Sequence, residues 1–472
     1  MGEERLRLWF EREPFSAPQW EVTAFTLTER LGKPSRLELS IAARQVDFEP
    51  ESLLREPLTV TLSQGGRALR QLSGVVTAVD EDLSPEGSLR AFTLTVGPRL
   101  ALLGLAATPA VFVDLTLRAI VTETLARHGL GAKVSWRCER AFAPLPQVVQ
   151  YDETDLAFVL RLCEAAGITV LTDMREADGV VFVDHMLGFE ALPEPVTFST
   201  QGLTRGVYAL SRKLRAVSGA ARVRDHHAPT PTVRVEGQRA GRWGGAEVQI
   251  EQGRGVASPA EALQHAALRV EASDATFSRY EGLASQVEIA AGYRVVIEGH
   301  PRVPATPLLV VSATLSARAL DDSLESPTVR FECLGPSVPW RPARETPRPH
   351  IAGLVVGHVA TATNQVEGDE AALDAEGRYL VRFQFDTRPH PGRPPSTRLR
   401  RLQPHAGNGY GMHLPLKPGT EVMVAFVDGD PDRPVVVGAV HDGANRPMVG
   451  DQNHLIHRLQ TQSGIHITLK DD

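Results

Sequence analysis

Three aspartates, Asp428, Asp430 and Asp432, stand at alternate positions in the stretch FVDGDPDRPVVVG. Acids at this spacing can begin a calcium loop, and paired carboxylates can share general acid–base work. The calcium reading fails on the rest of the loop. Its sixth position, where a glycine makes the sharp turn, is Arg433, and its twelfth, where a bidentate glutamate closes the site, is Ala439. Prolines at 431 and 434 stiffen the segment. Glu421 to Val427 and Pro434 to Val440 are both valine-rich strand patterns. Asp428, Gly429, Asp430, Pro431 and Asp432 therefore read as a structural turn between antiparallel strands, where Asp bonds its own backbone and Gly accepts positive φ. The competing use of these acids, a cell-wall hydrolase built on Asp428 and Asp430, requires one carboxyl with a raised pKa in a cleft.

The other chemistry-bearing residues are dispersed. The sequence has no Gly-x-Ser-x-Gly elbow, no phosphate loop and no His-Glu-x-x-His. His226 and His227 are adjacent in a polar stretch and read as surface loop, because neighbours point apart on a strand. His454 and His457 flank a short apolar pair, and alternation turns His466 away from the apolar face of its strand. Cys138, Cys163 and Cys333 are too widely spaced for a disulfide framework or a paired-cysteine zinc site and read as buried thiols. No catalytic residue, cofactor or metal is expected, and the reading is of a protein that is not an enzyme.

A net charge of -7 over 472 residues argues against sequence-independent nucleic-acid binding. Arg398, Arg400 and Arg401 read as a solvated strand face. No apolar run reaches the roughly 18 residues of a membrane helix. The N-terminus, MGEERLRLWF, has no signal-peptide core, so the chain is expected to be made in the cytoplasm and to leave, if it leaves, without a signal peptide.

The elements that must position these residues are mainly strands, with minor helix. Val22 to Thr28, Arg36 to Ile41, Leu58 to Leu62, Gly74 to Val79 and Leu89 to Val96 are β-rich segments punctuated by Gly, Pro and Asp, and suggest a barrel with one short helix near Pro50 to Arg55. An α/β insert follows. Asp114 is placed to cap a helix over Leu115 to His128, with Gly129 at its left-handed end. A second helix spans about Thr154 to Ala166, stopped by Gly167 and bracketed by strands at Val148 to Tyr151 and Ile168 to Thr172. Strands return over 180–335, interrupted by a helix with Ser258 at its cap, Pro259 at its first position and Glu261 completing a capping box, running to about Ala272. The proline-rich run GPSVPWRPARETPRPH, Gly335 to His350, marks a domain boundary, expected to be extended and semi-rigid. Expected domains are 1–110, 111–190, 191–340, a linker at 341–350, 351–445 and 446–472.

The last segment, Gln462 to Asp472, alternates Ile465, Ile467 and Leu469 with His466, Thr468 and Lys470, which gives one strand with one apolar face. Burying three apolar side chains returns less than the cost of ordering about 11 backbones. Its edges also carry unpaired N–H and C=O groups. The strand must pair, either with other copies of the chain or by folding back on its own domain.

The block PGTEVMVAFVDGDPDRPVVVGAVHDGANRP resembles the OB-fold domain of the VgrG family, the spike-tip proteins of type VI secretion systems, itself similar to hub and spike proteins of contractile phage baseplates. GRYLVRFQFDTR and LQPHAGNGYGMHLPLKPG match the preceding strands in order, QYDETDLAFVLRLCEAAGI resembles the family's strand–helix signature, and GYRVVIEGHPR, GVVTAVDED and TVGPRLALLGL resemble hub strands. In place of the family's tryptophan-containing strand pair stand Val381 to Phe385 and Thr397 to Arg401, and the loop Pro389 to Pro395 is proline-laden.

The resemblance implies tandem β-barrel hub domains with an α/β insert, a five-stranded OB-fold domain, and the start of a trimeric triple-stranded β-helix in which Ile465, Ile467 and Leu469 are trimer contacts facing a dry axis. It implies a homotrimer on the hexameric tube protein, with a tip-capping Pro-Ala-Ala-Arg repeat protein and effectors as partners. The unit would be assembled in the bacterial cytoplasm and exported by the injection machine, meeting membranes only by mechanical puncture. A phage tail or an extracellular injection device could use the same architecture. In some phage relatives a lysozyme domain precedes the needle. Only some 20 residues, Asp442 to Thr461, lie at that place here, too few for a catalytic domain.

Overall fold

Alternating apolar and polar residues make the long strands, and the pattern of pairing decides what they enclose. The computed structural model describes residues 6–10, 20–44, 49–64, 67–83, 89–175, 177–200, 205–253, 255–320, 323–324, 327–336, 338–363, 365–368, 370–388 and 392–470. Among these, Trp20–Arg30, Arg36–Arg44, Leu89–Gly97, Arg67–Asp82, Pro57–Gln64 and Leu6–Phe10 pair in that spatial order. Trp20–Arg30 also pairs with Leu308–Leu320, and the short strand Ser323–Leu324 links Leu308–Leu320 to Leu6–Phe10. The ring closes, so a first barrel is complete. Its inward positions, among them Phe25, Leu27, Leu39, Val60, Phe92 and Leu94, are buried. Each contributes roughly 1.5–3 kcal/mol.

A second ring uses the other edge of the same strand. Leu308–Leu320 pairs with Thr328–Leu334, which pairs with Ser278–Ala284, which pairs with Val207–Leu214. A bridge from Val207 to Phe198 leads to Val196–Thr197, which pairs with Ile297–Glu298. The adjoining strand Tyr293–Val295 returns to Leu308–Leu320. The two barrels share Leu308–Leu320, and one apolar cluster runs through both.

Among the described residues, three α-helices belong to this unit. The first, α1 (Leu117–Arg127), starts later than the sequence suggests. Its cap is Thr116, whose hydroxyl accepts from the Ala119 N–H at 3.2 Å, not Asp114. Asp114 instead sits at φ +52° within the strand Ala110–Thr116, which the expected helix start would have cut short. The second, α2 (Asp155–Ala166), has Thr154 as cap and Gly167 in the left-handed conformation at its end. The third, α3 (Pro259–Phe277), has Ser258 accepting from Glu261 N–H at 3.2 Å. Glu261 accepts from the N–H of Ala257, one residue before the cap. The helix continues past Ala272 because Asp274 and Ala275 remain buried on its packed side.

The connector is laced onto this unit as far as residue 348. Trp340 Nε1 donates to Thr169 Oγ1 at 2.9 Å, and Arg341 pairs with Glu271 and donates to the Asp184 carbonyl. The buried carboxylate of Glu164 accepts from the N–H groups of Glu345 and Thr346 and from the Thr346 hydroxyl.

The second unit comprises residues 109–115, 145–151 and 349–472. Its sheet runs Leu380–Phe383, Val355–Ala360, Glu421–Phe426, Pro434–Ala439. A fifth segment closes it. Leu399 and Tyr379 exchange backbone bonds, Leu402 N–H donates to Val436 O at 2.7 Å, and Val436 N–H donates to Arg400 O at 3.0 Å. This is the five-strand closure of an OB barrel. Val359, Val381, Phe383, Val422, Val424 and Val436 fill it. Residues 389–391 of the proline-laden loop lie outside the described residues.

Ala110–Thr116 and Pro144–Gln150 form a two-stranded ribbon, read from the sequence as part of the insert. Its residues 109–115 and 145–151 group with the OB barrel, where Val111, Val113 and Val149 join the core. Asp386 accepts from Val111 N–H at 2.8 Å, and Gln147 accepts from Thr397 N–H at 2.9 Å.

Two expectations follow. Replacing Glu164 with Ala should raise hydrogen exchange at the amides of Glu345 and Thr346 while α2 stays protected; unchanged exchange would show that the connector is held otherwise. Asp184 is buried, which by itself favours the neutral acid. The N–H groups of Glu139 and Arg140 and the Arg140 guanidinium outweigh this and hold its carboxyl below the usual range. Its stabilisation is therefore full above the unfolded value of about 3.9 and is lost as pH falls through the lower folded value. Asp184→Asn should cost about 1–3 kcal/mol at neutral pH. The gap from the unsubstituted protein should narrow in unfolding experiments below about pH 4.

Candidate functional site

The acid turn separates its three carboxylates. Strand Glu421–Phe426 ends in a single 3-10 turn, Val427–Gly429. Asp428 takes φ +56°, is exposed, and its carboxylate lies 3.4 Å from Arg433 Nη1. Gly429 takes φ +70°, and any Cβ there would overlap the imidazole of His350. Its carbonyl accepts from Ile351 N–H at 2.9 Å, so glycine is needed both for the backbone and for the space. Asp430 is buried; its Oδ1 accepts from Asp432 N–H at 3.0 Å, and its carbonyl accepts from Arg433 N–H at 2.9 Å. Pro431 is buried beside it. Asp432 reaches out of the turn, and its Oδ1 accepts from Val149 N–H at 2.6 Å. One acid faces solvent, one closes the turn, and one holds the ribbon.

An open depression of 440 Å³ adjoins the turn, and its titratable lining groups are His350 and Asp428. It presents one carboxylate where glycoside hydrolysis uses two. Among the described residues no group of three His, Cys, Asp or Glu is placed to hold a metal.

The remaining candidates are dispersed. His226 and His227 follow strand Ala220–Asp225, and His227 Nδ1 lies 2.9 Å from Thr230 Oγ1. His454 and His466 each hold a nearby backbone carbonyl. Burial pushes the Cys138 thiol up to about 11, with Asp184 adding to the effect, and raises Cys163 and Cys333 well beyond the ordinary value. These are poor nucleophiles. Arg398 and Arg401 donate to the carbonyls of Ala372 and Leu414, so they act as braces as well as surface charge.

The tail is a hairpin rather than a single strand. Ile456–Gln460 pairs antiparallel with His466–Lys470, and Gly464 at φ +91° makes the turn. The first of these strands was missed from sequence; its weak signal was the alternation Leu455, His457, Leu459 before the turn TQSG. The register sets Leu459 opposite Ile467 and His457 opposite Leu469, which puts these four residues on one face. That face is uncovered: Ile465, Ile467 and Leu469 are 71%, 62% and 63% exposed, and Leu455 is 69% exposed. A two-stranded hairpin is marginal by itself in water. What this arrangement can do chemically is associate.

Two barrels sharing a strand, followed by an OB barrel and a terminal apolar hairpin, are the parts of a baseplate hub joined to an injector domain. The sequence matches the phage tail baseplate hub (GPD) family over residues 28–320 and the type VI secretion system/phage-baseplate injector OB domain over residues 370–441. The chain belongs to the phage tail baseplate hub family. The type VI secretion system spike protein VgrG5 of Pseudomonas aeruginosa is 28% identical over 456 residues, covering 90% of this chain and 56% of that protein. The chain thus spans about half the length of the curated relatives it matches. This bears out the resemblance to VgrG carried by the segments quoted from the sequence.

The E. coli c3393 protein, described as a type VI component with structural similarity to the T4 tail proteins gp27 and gp5, shares the fold. Its TM-score is 0.66 at 24% identity, over 92% of this chain and all of that one. A chain of the half-lidded Francisella PdpA–VgrG complex gives a TM-score of 0.63 at 9% identity, over 96% of this chain and 79% of that one.

Substitutions at the turn should separate the three acids. Asp428→Ala should change unfolding free energy by no more than about 0.5 kcal/mol. Asp432→Ala, which strips Val149 N–H of an acceptor, should cost about 1–3 kcal/mol. Equal effects in denaturant titrations would contradict these roles.

Proposed function

We propose that three copies of this chain form the hub and spike of a type VI secretion system, capping the tube and carrying effectors through a target membrane when the sheath contracts. The observation that carries the reading is the tail hairpin, ordered in its register yet bare on its apolar face. Three such hairpins around one axis would bury Ile465, Ile467 and Leu469 and begin a needle. Two barrels in each of three chains offer six similar units to a hexameric tube protein. A Pro-Ala-Ala-Arg repeat protein would cap the tip, and effectors would ride on or beside it. The assembly would form in the bacterial cytoplasm and leave through the machine itself. The role is mechanical, with the acid turn as a brace rather than a catalyst. A second reading, the hub of a phage tail or of an extracellular injection device, keeps every structural element and draws on the family's own description as a phage baseplate hub.

Sedimentation equilibrium of the whole chain at about 1–10 µM tests the association. A trimer is expected, and Ile467→Glu should shift it toward monomer without unfolding the barrels. A folded monomer of the unsubstituted chain throughout that range overturns the proposal.

A further inference from the structure

Residues 402–414 of the OB unit form an arm that the turn and the tail leave unexplained. Ala406–Gly407 pairs with Tyr410–Gly411, and Met412 N–H donates to His405 O at 2.8 Å. Arg401 holds the base through the Leu414 carbonyl. The Tyr410 ring lies over Gly407, where any Cβ would overlap it, and tilts against His405 with centroids 5.3 Å apart. The arm is thus bonded in place. Yet Leu402, Tyr410, Met412 and Leu414 are 60%, 64%, 46% and 45% exposed. An apolar group that is both exposed and pre-set resembles the anchors of a binding surface, where a rigid aromatic carries a large share of the energy.

The location argues for the occupant. Ten of the 22 exposed large hydrophobic side chains among the described residues fall between Leu402 and Leu469, so the arm and the tail belong to one apolar stretch of chain. At roughly 100 Å² each, the tail side chains Leu455, Leu459, Ile465, Ile467 and Leu469 offer about 500 Å². A standard interface takes about 800 Å² from each partner. The described tail falls short of that, and the four arm side chains bring the sum to about 900 Å².

We propose that the arm is a second contact between copies of this chain, with Tyr410 and Met412 as its anchors on a neighbouring copy. The inference rests on the association proposed above and assigns it a surface outside the needle. The tail aligns the copies and the arm secures the OB barrels around them.

The test uses the whole chain. Met412→Glu and Tyr410→Ser should each raise the concentration needed for assembly by about tenfold or more. Met412→Leu should assemble as the unsubstituted chain does, which separates lost apolar contact from misfolding. Met412 should also be protected from oxidative footprinting in the assembled state relative to dilute protein. Assembly of Met412→Glu and Tyr410→Ser at unchanged concentration, with Ile467→Glu still disruptive, overturns the arm and leaves the needle reading standing. Unprotected Met412 in a trimer overturns it equally. A monomeric unsubstituted chain removes both.

Discussion

A β-strand has two edges and each must find a partner, and this requirement organises the whole chain. The first barrel satisfies it by closing through the two-residue strand Ser323–Leu324. The second satisfies it by borrowing the far edge of Leu308–Leu320, so one strand is shared by both rings. The OB barrel closes with the segment around Leu399 to Leu402, which makes few ladder bonds but supplies those the neighbouring strands lack. The terminal hairpin meets the requirement only in part. It pairs one edge of each strand within the chain and leaves its apolar face bare. The asymmetry between closed barrels and an unfinished tail is the physical basis for reading the molecule as one part of a larger assembly.

Carboxylates do the long-range joining inside each unit. Glu164 gathers the connector, Asp184 gathers the segment after strand Val134–Arg137, and Asp386 and Asp432 hold opposite strands of the ribbon. In each case the acceptor serves backbone N–H groups that no regular ladder reaches. At Asp184 the backbone and guanidinium donors outweigh the loss of water and hold the carboxyl below its ordinary range.

Much of this was legible in the residues. The flanking valine runs identified the acid turn, and the cap residues located α2 and α3, because both signals are local. The start of α1 was misplaced by local reasoning. Asp114 is a good cap by type, but Thr116 is where the strand Ala110–Thr116 ends. Membership of the ribbon in the OB unit was not legible. It depends on bonds such as Val149 to Asp432, made between residues 283 apart in sequence. The tail's alternation was plain over Ile465 to Leu469, while its partner strand carries an arginine and a histidine that blur the period.

The chain visits the OB unit three times, at 109–115, at 145–151 and from 349 onward. The OB unit is therefore discontinuous in sequence. A fragment starting at Pro349 would leave behind Val111, Val113 and Val149 and open a seam in its own core. Genetic exchange of tips between relatives at the proline-rich junction alone would separate a barrel from the ribbon that fits it. Packing of this core requires residues 109–115 and 145–151 to be present together with the segment from 349 onward.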